Sequence, residues 1–180
     1  MLNGINISGL SEFVHEIRDD KEQANAEYGV RLTWESGTTS KVETKAMVLG
    51  KCKVIREFTM GMDEPTQLLG RNTAPNPQEY LFAGLAGCMS VVFTIGASLL
   101  GIQLEKFILE VDGALDLQGF LDDESDVDAG LSEINYTIRV KGSGTEAQYL
   151  QLIEKIKKHS PNFNTIANPV KLNANLIIED

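Results

Sequence analysis

The sequence is poor in cysteine and histidine: among 180 residues there are two of each, Cys52 and Cys88, and His15 and His159. Two cysteines are too few for a disulfide-stabilised scaffold. Their spacing fits no zinc motif and histidines are scarce, so we expect no metal and no cofactor. Basic residues are also few, since 16 Lys and Arg stand against 26 Asp and Glu, for a net charge of −10. Nucleic acid and anionic membrane surfaces are therefore not expected as partners, because both are bound through a basic surplus.

A secretory signal is a second missing feature. Residues 1–21, MLNGINISGLSEFVHEIRDDK, lack a basic segment followed by an apolar one. We therefore expect a cytoplasmic protein, in which thiols stay reduced. The composition, 42% hydrophobic and 23% charged, is typical of a globular chain with one sizeable core.

One long stretch has no charge at all: residues 80–102, YLFAGLAGCMSVVFTIGASLLGI, with Cys88 inside it. Its 23 residues are enough to cross a bilayer, but a helix that is apolar all round can also lie at the centre of a soluble fold. The flanking charges are Glu79 and Glu105 rather than Lys or Arg, which argues against a membrane span.

The order of predicted elements indicates an α+β fold. The long helix is predicted over residues 76–101, with Asn76 as N-cap, Pro77 at the first helical position and Glu79 as the acid of a capping box. A first helix is predicted over residues 8–26, and a last one from Thr145 to Pro161. Strands are predicted over residues 28–36, 41–50, 52–60, 106–115, 133–142 and 170–178. Helices and strands do not alternate as βαβ units, which excludes a regular parallel sheet.

Cys88 has two physical interpretations that the residues alone leave open. A free cysteine is commonly buried and packs as a small hydrophobic residue. A reactive thiol instead needs a lowered pKa, which requires a nearby cation or a helix N-terminus. The dipole of a continuous helix would not help at Cys88, about 16 Å beyond Pro77. Any activating Lys or Arg would have to come from elsewhere, since none occurs between Arg71 and Lys106.

The motif APNPQEYLFAGLAGCMS, followed by two strands and a helix ending in KKHSPNFNTIANPV, resembles the OsmC/Ohr family of thiol-dependent peroxide-detoxifying proteins. The resemblance covers residues 28–180 and leaves 1–27 as an added N-terminal helical extension. It implies an intertwined cytoplasmic homodimer, with antiparallel sheets around long central helices sheathed by protein rather than lipid. It also implies peroxiredoxin-like activity in the oxidative stress response.

In this family a cysteine on the central helix attacks the peroxide and a second cysteine resolves the sulfenic acid, assisted by a glutamate and an arginine. Cys88 matches the attacking cysteine. Ser160 stands at the resolving position, and Gln78 at the glutamate position, beside Glu79. For the arginine there is no clear counterpart, and the candidates are Lys41, Lys45 and Arg56.

Two functions follow from this resemblance. The first is reduction of organic hydroperoxides through Cys88 alone, with an external thiol, or else Cys52, as the reductant. The second is binding of a small apolar molecule in the dimer cleft, with Cys88 in its wall, because a fold does not guarantee its family's chemistry.

Overall fold

The first helix, α1, spans Ile7–Asp19 and is shorter than predicted. The side chain of Asn6 caps its N-terminus by accepting a hydrogen bond from the backbone N–H of Gly9 at 3.2 Å. At Asp20 the backbone becomes extended, and the carboxylate caps a separate 3-10 turn, Lys21–Ala24. The prediction of one helix through residue 26 is therefore wrong beyond Asp19, because a residue that caps a new turn ends the old helix.

The computed structural model describes residues 1–179, and the chain divides into two units, Met1–Ala83 and Gly84–Asp180. The boundary predicted between an N-terminal extension, residues 1–27, and the rest of the chain stays a prediction. The first unit holds two antiparallel three-stranded sheets, in the orders β1–β4–β5 and β2–β3–β6. Their strands are β1 Ala26–Glu27, β2 Val30–Ser36, β3 Thr39–Thr44, β4 Met47–Leu49, β5 Cys52–Val54 and β6 Thr59–Met62.

Two predicted strands are each divided between these sheets. Residues 41–50 form the end of β3 and all of β4, and residues 52–60 form β5 and the start of β6. The chain leaves the β2–β3–β6 sheet after Thr44, whose backbone N–H donates to the carbonyl oxygen of Phe58 at 3.0 Å. It turns between Leu49 and Cys52, which face each other across the β4–β5 pair.

A buried carboxylate fixes the loop that leads from β6 to the long helix. Asp63 is fully buried, and its two oxygens accept hydrogen bonds from the side chains of Thr38, Thr39 and Thr73 and from the backbone N–H groups of Glu64, Arg71 and Thr73. The Thr73 hydroxyl is the strongest of the donors that hold the pKa of Asp63 well below its usual range, against the opposing effect of burial. The carboxylate thus ties the loop to the β2–β3 turn.

The long helix, α2, spans Pro77–Leu99 without interruption. Its predicted capping box is confirmed: the Asn76 side chain accepts from the backbone N–H of Glu79 at 2.9 Å, and the Glu79 carboxylate accepts from the Asn76 N–H at 2.8 Å. Among residues 1–179, α2 is the one helix long and apolar enough to cross a membrane. A core helix of a soluble protein has the same properties, and α2 supplies a stripe of core residues, Leu85, Met89, Phe93 and Ala97.

The second unit surrounds that stripe with a hairpin and a helix. Strands β7, Leu104–Ala114, and β8, Glu133–Gly142, pair antiparallel, and the loop between them contains a single helical turn, α3, Gln118–Leu121. Helix α4, Glu146–His159, contributes Leu152 and Ile156 to the core. The alternate apolar residues of this hairpin pack against the core: Phe107, Leu109, Val111, Ile134, Tyr136, Ile138 and Val140.

A close approach between α2 and α4 occurs at Gly96. A Cβ atom there would lie 2.6 Å from Cδ2 of Leu152, so a side chain is excluded at this contact. By contrast, a Cβ at Gly87 would meet no atom within 4 Å. Within one chain the close approach of α4 to α2 is therefore at Gly96, nine residues beyond Gly87.

Beyond α4 the structure differs from the prediction in two places. Pro161 does not simply end the helix: it is the first residue of another helix, α5, Pro161–Ala167. The closing strand predicted over residues 170–178 is absent from the described chain, where these residues have no regular structure and are exposed. The predicted class is nevertheless confirmed, since the fold is α+β with antiparallel sheets and a long central helix.

Candidate functional site at Cys88

Cys88 lies in the second unit, in the middle of α2, and is partly buried. Its neighbour Met89 belongs to the buried stripe of the helix, whereas Gly87 is exposed. The thiol therefore stands at the border between the core-facing stripe and the uncovered face of the helix. Cys88 is therefore neither fully exposed nor enclosed in the core.

The joint between α4 and α5 places a hydroxyl group beside this thiol. Ser160 ends α4, where its backbone N–H donates to the carbonyl oxygen of Ile156 at 2.9 Å, and it is also the N-cap of α5. Its side chain is fully buried, and its Oγ lies 3.2 Å from Sγ of Cys88. These two residues, 72 positions apart in the sequence, thus form one polar contact in an otherwise apolar region.

A second contact fastens α5 to the same stretch of α2. The side-chain amide of Asn162 donates to the carbonyl oxygen of Gly84 at 2.8 Å, one helical turn before Cys88. Next to it, the ring of Phe163 meets the ring of Tyr136 edge to face, with centroids 6.3 Å apart. The start of α5 is therefore held on both sides, which fixes Ser160 relative to the sulfur.

A small cavity of about 290 Å³ adjoins this joint within the second unit. Leu85, one turn before Cys88, and Phe163, three residues after Ser160, both contribute to its wall. The other lining residues are mostly apolar: Leu131, Ser132, Glu133, Ile134, Tyr136, Ile166 and Ala167. A cavity of this size and lining suits a small, largely apolar molecule.

The predicted assistants Gln78 and Glu79 lie in the first turn of α2. The carboxylate of Glu79 is engaged in the capping box, so its evident role is to start the helix. Ten residues of uninterrupted α-helix separate Gln78 from Cys88, about 15 Å along the axis. The helix continues through Gly84 without a break that could bring Gln78 and Cys88 together. Assistance to Cys88 by Gln78 therefore stays a prediction, in which the glutamine would come from a partner chain.

The sequence profile described as "OsmC-like protein" matches residues 70–175, more than half of the chain and including α2, Cys88 and Ser160. The chain belongs to the OsmC-like family. No curated protein sequence matches it significantly.

Solved structures of OsmC-like proteins share its fold. An OsmC-like protein from Mycoplasma pneumoniae has a TM-score of 0.62 at 19% identity, over 78% of this chain and 87% of that one. An OsmC-like protein of unknown function from Vibrio cholerae has a TM-score of 0.60 at 15% identity, over 77% and 92%. An organic hydroperoxide resistance protein OsmC from Legionella pneumophila has a TM-score of 0.52 at 21% identity, over 79% and 91%.

The candidate cations of this OsmC-like protein all lie in the first unit. Lys41, on β3, forms an ion pair with Glu43 at 2.9 Å. The Arg56 guanidinium lies 4.7 Å from the centroid of the Phe58 ring. Lys45 and Arg56 are brought together in the wall of one pocket, which Lys41 does not line. That one of these three cations activates the Cys88 thiol stays a prediction.

Cys52 also lies in the first unit, on β5, and is exposed. Its neighbour Lys51 forms ion pairs with Asp20 at 2.8 Å and Glu22 at 3.1 Å. The role of Cys52 as a resolving thiol stays a prediction. Residues 1–179 hold no group of three or more His, Cys, Asp or Glu side chains that could bind a metal ion.

Sequence reasoning missed Asn162 and helix α5, both of which position Ser160. The signal was present in the sequence, because serine followed by proline is the usual N-cap and first residue of a helix. The two asparagines of SPNFN masked it, since asparagine is more common in turns.

Proposed function

We propose that this OsmC-like protein reduces organic hydroperoxides through a single attacking thiol, Cys88, with an external thiol as reductant. The observation that carries the proposal is the contact between Cys88 Sγ and Ser160 Oγ at 3.2 Å. It supports a site in which the position of a second, resolving cysteine is occupied by a residue that cannot form a disulfide. The name of the Legionella pneumophila structure, an organic hydroperoxide resistance protein, supplies the substrate class.

The proposed reaction balances as a two-electron exchange. The Cys88 thiolate attacks the terminal oxygen of the hydroperoxide, an S–O bond forms, the O–O bond breaks, and the alkoxide leaves with one proton as an alcohol. Sulfur is oxidised to the sulfenic acid. One external thiol then displaces water to give a mixed disulfide, and a second releases the Cys88 thiol and an external disulfide.

We further propose that the protein is a cytoplasmic homodimer acting in the oxidative stress response. Only 33% of the most apolar part of α2 is buried in a single chain, and Val91 on that helix is 55% exposed. A second copy of α2 is the cover that the family resemblance implies. Val91→Lys is expected to shift the protein from dimer to monomer in sedimentation velocity experiments. A wild-type chain that sediments as a monomer at all concentrations tested would contradict this part.

The test of the reaction follows the mass of the intact, reduced protein after addition of tert-butyl hydroperoxide. We expect rapid gain of one oxygen atom, capture of the product by dimedone at Cys88, and reversal by added thiol. Cys88→Ser should abolish the reaction and Cys52→Ser, the matched control, should retain it. Rapid loss of two hydrogen atoms instead, abolished by Cys52→Ser, would show that Cys52 resolves the sulfenic acid.

The second candidate is a small-molecule-binding protein without peroxidase activity. It is favoured by the apolar cavity of about 290 Å³ beside the Cys88–Ser160 contact. If Cys88 reacts with the hydroperoxide no faster than a free thiol does, the peroxidase proposal fails. Saturable binding of a small apolar fluorophore, weakened by Phe163→Ala in the cavity wall, would then support this candidate.

A further inference from the structure

Ser160 occupies the position that the resolving cysteine has in the family, and its contact with Cys88 suggests a function for the serine itself. We propose that its hydroxyl is a catalytic hydrogen-bond donor that stabilises the Cys88 thiolate and fixes the direction of the sulfur. The inference deepens the proposed function and rests on it for its catalytic meaning. Its test depends only on the reactivity of the thiol.

The first step of the argument is the orientation of the hydroxyl. Ser160 Oγ accepts a hydrogen bond from the backbone N–H of Phe163 at 3.4 Å, as the N-cap of α5. That contact uses one of the two acceptor lone pairs of the oxygen and leaves its proton free to be donated. The hydroxyl proton is left to point at Cys88 Sγ, 3.2 Å away. When Cys88 loses its proton, the hydroxyl is the one group of this pair that can still donate.

The second step is the burial of the donor. The Ser160 side chain is fully buried, so water does not compete for its proton. A hydrogen bond to a charged acceptor is stronger where the local dielectric constant is low. Helix α2 itself supplies no alternative, because residues 80–99 of this helix carry no charged side chain. A neutral donor is therefore the stabilising group that the second unit places at the sulfur.

The third step is the rigidity of the donor. Two hydrogen bonds hold Ser160 in place. Its backbone N–H donates to the carbonyl oxygen of Ile156, and the side-chain amide of Asn162 donates to the carbonyl oxygen of Gly84 on α2. These contacts keep the hydroxyl at the sulfur when α5 would otherwise shift. A control is available at the other end of α4, where the N-cap hydroxyl of Thr145 can be removed without touching the Ser160–Cys88 pair.

The test compares Ser160→Ala with Thr145→Ala, which also removes the N-cap hydroxyl of a helix in the second unit, both in a Cys52→Ser background so that Cys88 is the single thiol. The rate of alkylation by iodoacetamide is followed by mass spectrometry at a series of pH values. We expect Ser160→Ala to slow alkylation about tenfold at pH 7, the effect of losing one hydrogen bond to a charged group, and to move the rate profile to higher pH. Thr145→Ala should change the rate by less than about twofold, because its hydroxyl caps the far end of α4 and makes no contact with the thiol.

The outcomes separate this inference from the proposed function. If Ser160→Ala alkylates at the wild-type rate and with the wild-type pH profile, the inference is overturned, whatever the peroxide reactivity. If Thr145→Ala slows alkylation as much as Ser160→Ala, the Ser160 hydroxyl has no specific role and the inference is overturned as well. If Ser160→Ala is slower as expected but wild-type Cys88 ignores hydroperoxides, the donor role stands and the peroxidase proposal alone fails. Circular dichroism of each variant checks that the helices persist.

Discussion

Replacing Ser160 by cysteine is expected to create a disulfide with Cys88. The two side-chain atoms lie 3.2 Å apart, and a disulfide requires about 2.05 Å, so a closure of roughly 1 Å is enough. The bond would close a loop with 72 positions between its ends, for which the chain-entropy model gives about 4 kcal/mol of added stability. Engineered disulfides often add less stability than this model predicts, so we expect a gain of about 2–4 kcal/mol.

The assay for Ser160→Cys compares its oxidised and reduced forms in urea, with Cys52→Ser in the background. Treatment with tert-butyl hydroperoxide should remove two hydrogen atoms from the intact mass, and peptide mapping should find Cys88 joined to position 160. The oxidised form should unfold at the higher urea concentration. If oxidation leaves both thiols free in the folded protein, the contact between α2 and the α4–α5 joint is not the one described. The argument for Ser160 as a donor would then fail with it.

Three further changes test the fold. Phe93→Ala should lower the free energy of unfolding by about 3–5 kcal/mol in urea denaturation, because this fully buried ring packs on Phe107 with centroids 4.5 Å apart. Thr145→Ala should cost only about 1 kcal/mol in the same assay, since it removes the capping box of α4. Asp63 has its pKa lowered by folding, so its contribution is present above the unfolded value of about 3.9 and is lost as the pH falls further. The urea midpoint of wild type should therefore drop steeply below about pH 4, and that of Asp63→Asn should be lower at neutral pH and fall less on acidification.

The elements that the sequence predicts well are those with a local signal. Asn76, Pro77 and Glu79 mark the start of α2, and the structure confirms each role. The alternation of apolar residues in β7 and β8 predicted the face that packs on the core. The capping residues of α2 lie within a few positions of one another, and the apolar residues of β7 and β8 recur at every second position. Both patterns can therefore be recognised in a single sequence.

The errors concern contacts between distant segments. Residues 41–50 have a strand pattern throughout, but only pairing with β6 and with β5 decides where the chain passes from one sheet to the other. The alternating segment 170–178 reads as a strand, yet no strand of the described chain pairs with it. Strand patterns report a half-buried face, and they do not say which neighbour is present.

At the site itself the sequence predicted positions and not contacts. The resemblance marked Cys88 and Ser160, whereas their separation of 3.2 Å and the complete burial of the hydroxyl come from the structure. The pairing depends on α5, whose N-terminal SPNF signal was overlooked, and on the Asn162–Gly84 hydrogen bond between segments 78 positions apart. A contact of that range has no periodic signature in one sequence.

The uncharged run around Cys88 poses a chemical question as well as a structural one. A thiol used as a nucleophile needs its anion stabilised. Helix α2 has no charged residue from 80 to its end at Leu99, so its own side chains around Cys88 cannot provide a stabilising charge. A charge placed on that helix would have to be desolvated by the core that Met89 and Phe93 enter. A neutral hydroxyl avoids this cost, because it donates a hydrogen bond while adding no charge to the apolar surroundings. The same low polarity that makes α2 a core helix therefore favours a donor such as Ser160 over a buried ion as the partner of Cys88.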